Sequence, residues 1–110
     1  LDVTDLEEIL AVRDRIADEL GPVDILVNNA GTVAGGAFTE VPLEQHLRTI
    51  RVNTEGVIAV THAFLPGLLE RPKAHVVTVA SVAGTNAWQF RQVCVGGSPA
   101  WRLRSKPVWQ

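Results

Sequence analysis

A serine at the end of an apolar strand is a neutral hydrogen-bond donor held on a rigid support. Ser81 stands in that place, directly after the β-branched run His75-Val76-Val77-Thr78-Val79-Ala80. Such a hydroxyl can hold a reacting oxygen in position. A second polar group, Asn28-Asn29-Ala30-Gly31, follows the apolar run Val23-Asp24-Ile25-Leu26-Val27 at its carboxyl end. In open parallel sheets that end of a strand is where ligands bind. Asn53 lies within a long apolar-periodic stretch, and Asp2 just precedes another. Taken singly, each has a structural reading: Asp2, Asn28 and Asn29 as turn formers, Asn53 as a tolerated helical polar residue, Ser81 as a hydroxyl bonded to a nearby amide.

Other chemistries find less support. His46, His62 and His75 lack metal-ligand spacing and have no cysteine near them in sequence, so no metal site is expected. The lone Cys94 excludes an internal disulfide framework. Gly96-Gly97-Ser98-Pro99-Ala100 lacks the spacing of a nucleophile elbow. Trp88, Trp101 and Trp109 stand near arginines, but no periodic element presents them to stack bases, and no nucleic-acid partner is expected.

The elements that must position these residues are legible from periodicity. Thr4-Asp5-Leu6-Glu7 has the form of a capping box, with the Thr4 hydroxyl as cap. Leu6, Ile9, Leu10, Ile16, Ala17 and Leu20 then recur at helical spacing, until Gly21-Pro22 stops the helix. Val23–Val27 reads as a strand buried on both faces. After a Gly- and Ala-rich loop over 32–41, Pro42 opens a long helix carrying Leu43, Leu47, Ile50, Val57, Ile58, Val60, Ala63, Phe64 and Leu65. Pro66-Gly67 is expected to weaken or end it. With the strand at His75–Ala80, the order is helix, strand, helix, strand: an α/β chain holding one βαβ unit and a preceding helix. Beyond about Gln89 neither period persists.

The chain has 110 residues, 46% of them hydrophobic, which suits one small packed unit rather than a disordered segment. No stretch approaches the roughly 18 apolar residues of a membrane span. The opening Leu1-Asp2-Val3-Thr4-Asp5 is not a secretory signal. A cytoplasmic setting with no membrane partner is therefore expected, and a first residue other than Met suggests a piece of a longer protein. Residues 1–70 carry all twelve acids against four bases; residues 71–110 carry six bases and no acid.

In order and spacing, Asp2-Val3-Thr4-Asp5, Asn28-Asn29-Ala30-Gly31, Val52-Asn53 and Ser81-Val82-Ala83-Gly84 resemble the short-chain dehydrogenase/reductase family over roughly residues 1–90. The resemblance implies a central fragment of a Rossmann-like, doubly wound parallel sheet over 1–89, followed by an irregular basic tail over 90–110. It implies NAD or NADP as cofactor, a small carbonyl or alcohol substrate, and homo-oligomers. Asp2 and Val3 would contact the adenine. Asn28, Asn29, Ala30 and Gly31 would brace the sheet and line the cofactor groove. Asn53 would hold a water in a proton relay, and Ser81 the substrate oxygen.

Two parts of the family pattern are missing. No Gly-rich turn precedes Asp2, and Gly31-Thr32-Val33-Ala34-Gly35-Gly36 imitates one after the wrong strand. The family's Tyr-x-x-x-Lys pair would fall on Cys94 and Ser98, and the chain has no tyrosine. A thiol on a shorter side chain is a poor acid/base in place of a phenol, and a serine carries no charge to lower its neighbour's pKa. With GC-rich codons, one added base turns Ser98-Pro99-Ala100-Trp101-Arg102-Leu103 into Lys-Pro-Gly-Val-Ala-Ala, so a frameshift at the Ser98 codon accounts for the basic, aperiodic tail. The expectation is an NAD(P)-dependent oxidoreductase by descent whose own chain is inactive. The alternative is a non-catalytic remnant that acts through contacts of its long helix.

Overall fold

The first helix, α1 (Leu6–Leu20), begins one residue later than the sequence suggested, and a competing acceptor explains why. The Thr4 hydroxyl does not cap it: it turns to donate to Asp2 Oδ1 at 2.8 Å, and the Glu7 N–H goes instead to the Asp5 carboxylate, a stronger acceptor than a hydroxyl. The cap falls to Asp5, in extended backbone, whose Oδ1 accepts from the amides of Glu7 at 2.9 Å and Glu8 at 3.1 Å. Gly21 ends the helix at φ +89°, a conformation L side chains rarely adopt, and its N–H returns to Ala17 O.

The computed structural model describes residues 1–80. The expected tail over 90–110, and with it Cys94 and Ser98, lies outside the described residues, as does Ser81. Two short parallel strands follow the expected runs: β1 (Ile25–Asn28) and β2 (His75–Thr78), in register Ile25↔His75 to Asn28↔Thr78. Bonds from His75 N to Asp24 O and from Val79 N to Asn28 O extend the ladder at both ends, each at 2.9 Å. Arg71 Nε donates to Asp24 Oδ1 at 2.7 Å, tying the approach to β2 to the start of β1.

β1 is not buried on both faces. Leu26 and Asn28 are covered, while Ile25 and Val27 remain 59% and 54% exposed, because the described helices cover only one side of the sheet. All four residues of β2 are at the surface.

The long helix is interrupted without being broken. It runs as α2 (Leu43–Ile50), a π-helical turn over Arg51–Glu55, and α3 (Gly56–Leu69). The Gly56 N–H reaches back five residues to Arg51 O, so the turn accommodates one extra residue. Pro66 does not end α3, which continues to Leu69. Proline removes the bond to the carbonyl four residues back, that of His62, and both residues lie on the exposed side, where water can replace it. The opposite side of α3 buries Val60, Ala63, Phe64 and Leu68 against Ile9 of α1 and Leu26 of β1.

Candidate functional site

The candidate site forms where β1 ends. Asn28, the last residue of the strand, is buried, and its carboxamide is held from below: Nδ2 donates to Thr61 Oγ1 of α3 at 2.9 Å. That bond fixes the strand end from which Asn29, Ala30 and Gly31 depart. Asn29 and Ala30 then line, with Asn28 and Val3, an apolar groove of about 330 Å³. Its walls come from α1 (Val12, Ile16), the edge of β1 and the first turns of α3. Four of the six residues expected at the cofactor thus share one groove. Asp2 lies next to it in the chain, and Gly31 just beyond its end.

Asn53 stands beside Gly31, where the chain leaves the groove. Its side chain makes a two-point clamp on one backbone unit: Oδ1 accepts from Thr32 N and Nδ2 donates to Thr32 O, both at 2.8 Å. A Cβ added at Gly31 would stand 3.6 Å from Asn53 Oδ1, in ordinary contact. The π turn carries Asn53 and sets its direction toward the loop, the kind of local irregularity common at functional sites. In this structure the Asn53 amide is engaged with Thr32 from both ends.

Gly56, at the far side of the same turn, meets the other end of the site. A Cβ there would lie 2.7 Å from Val3 Cγ2 and 3.2 Å from Val3 O, so only glycine permits this approach. Val3 follows the turn built by Asp2, whose Oδ1 accepts from both the N–H and the hydroxyl of Thr4. The Thr4 N–H first, and then its hydroxyl, hold the Asp2 carboxyl below the usual carboxylate range; Arg48 adds a weaker pull.

Three partners were not singled out from sequence. Thr61 stands 33 residues from Asn28, and nothing local marks it. Thr32 takes part through its backbone, which carries no side-chain signal. Gly56 did leave one: an isolated glycine inside an apolar-periodic helix marks a close approach. Among the described residues no group of three or more His, Cys, Asp or Glu could hold a metal ion. No helix among them is long and apolar enough to cross a membrane.

The strand-end Asn-Asn-Ala-Gly, the clamping Asn53 and the parallel βαβ arrangement meet a family model described as short chain dehydrogenase, which matches residues 1–94. The chain belongs to the short-chain dehydrogenase family. Among relatives, it is 43% identical over 84 residues to retinol dehydrogenase 10-A of Danio rerio, covering 76% of this chain and 25% of that one. It is 40% identical over 84 residues to human 17-beta-hydroxysteroid dehydrogenase 13, covering 76% and 28%. Among solved structures, an actinorhodin polyketide ketoreductase variant with NADPH superposes with a TM-score of 0.70 at 34% identity, over 86% of this chain and 39% of that one. Serine dehydrogenase from Escherichia coli gives 0.70 at 30% identity, over 86% and 47%. The short-chain dehydrogenase segment seen here therefore spans about a quarter of the length of the relatives it matches, and its two parallel strands are part of a Rossmann-like sheet.

Proposed function

We propose that this chain carries the adenine side and part of the oxygen side of an NAD(P)-dependent hydride-transfer site, and that by itself it is catalytically silent. The observation that carries the reading is the single groove lined by Val3, Asn28, Asn29 and Ala30, with the Asn53–Thr32 clamp on the loop that continues from it. An apolar slot ending in carboxamides suits a flat heteroaromatic ring with hydrogen-bonding edges. In this reading Asp2 and Val3 contact the adenine of NAD or NADP, and Asn28, Asn29, Ala30 and Gly31 line its path. Asn53 holds the loop beside the water of a proton relay, and Ser81 takes the oxygen of a small carbonyl or alcohol substrate.

The described residues fit the adenine end of the cofactor and not its pyrophosphate. An anion seat at a helix start needs free N–H groups. At α1 the carboxylate of Asp5 already accepts two of them. At α2, Pro42 precedes the first turn, and Glu44 puts a negative charge inside it. When bound, the nicotinamide gives or accepts the hydride, but with no tyrosine in the chain the substrate oxygen lacks the family's acid/base. Titration calorimetry of the 110-residue chain with NADPH is expected to show no dissociation constant below about 100 μM, about −5.5 kcal/mol. Tighter binding would overturn the reading that these residues give the pyrophosphate no seat, and turnover of a carbonyl substrate would overturn the silent reading.

A second reading has its own observation. Leu43, Leu47, Ile50, Ile58, Leu65 and Leu69 are exposed along the length of α2 and α3. An apolar stripe of this extent suits a non-catalytic role through helix-mediated contacts, including self-association.

A further inference from the structure

We draw no further inference here: the strongest candidate, the apolar groove along the edge of β1 away from β2, between Val3, α1 and α3, carries nothing because nothing among the described residues shows what covers it beyond the cofactor end already described.

Discussion

Asn53 does its work with two hydrogen bonds to one peptide unit, and removing them tests it directly. Asn53→Ala leaves the N–H and C=O of Thr32 to water, at about 0.5–1.5 kcal/mol for each bond lost. Asn53→Asp keeps the acceptor for Thr32 N but sets an oxygen against Thr32 O where a donor stood. Limited proteolysis should therefore cut the 32–41 loop several-fold faster in both variants; unchanged cleavage in Asn53→Ala would show that the clamp does not hold the loop. At this scale the sequence was informative about residue type and less so about partner. Asp2 and Asn53 were legible as polar residues worth noticing. The capping residue was misplaced by one because a spacing rule cannot tell which of two neighbouring oxygens, that of Thr4 or that of Asp5, is already committed to a third group. Asn28 was visible, while its partner Thr61 was not, because a contact across 33 residues is made by the fold.

The π turn and the start of α3 act as one brace, with Asn53 on the loop and Gly56 against Val3. Gly56→Ala sets two effects against each other. Alanine favours the helix by about 1 kcal/mol. A methyl 2.7 Å from Val3 Cγ2 forces Val3 away, and overpacking of this kind costs about 1–3 kcal/mol. The clash should win, so the variant loses helical circular dichroism at lower urea than the parent. Val3→Ala on that background should recover part of the loss, since it removes Cγ2 but leaves Cβ at 3.1 Å. If Gly56→Ala proved more resistant to urea, the close approach would be wrong. On the outer side, Leu47→Glu places a charge midway along the exposed stripe. Sedimentation velocity should show association in the parent falling in this variant; equal association would remove the helix-contact reading. Both helices were legible because their apolar residues recur at one period. The extra residue of the π turn was not, since it only shifts the phase between Leu43, Leu47 and Ile50 on one side and Val60, Ala63 and Phe64 on the other. Whether Pro66 weakens or ends the helix is not legible, because sequence does not show whether the carbonyl it frees faces water.

At the scale of the molecule, α1 and α3 form one layer and β1 and β2 a second, and the sheet side turned away from the helices is open among the described residues. The order of elements and the parallel pairing followed from strand–helix–strand alternation. The partial burial of β1 did not, because an apolar run states what a strand can bury and not what is there to bury it. The two bonds at the ends of the ladder fix the direction of every peptide in β1. The carbonyls of Asp24 and Asn28 point at β2, so by the alternation of a strand Leu26 does too, while Ile25 and Val27 turn their backbone groups to the opposite edge. The residues whose side chains face the helices, Leu26 and Asn28, are thus the same ones whose amides face β2. Among the described residues, Leu26 and Asn28 are sheltered on both counts, while Ile25 and Val27 stay about half exposed and their backbone groups meet no strand. In deuterated buffer this parity becomes a kinetic pattern: the amide protons of Leu26 and Asn28 should persist while those of Ile25 and Val27 are lost at rates near those of an unstructured peptide. Equal persistence along all four would mean that the edge has a partner, and the first two-dimensional NMR spectrum recorded after dilution would show it.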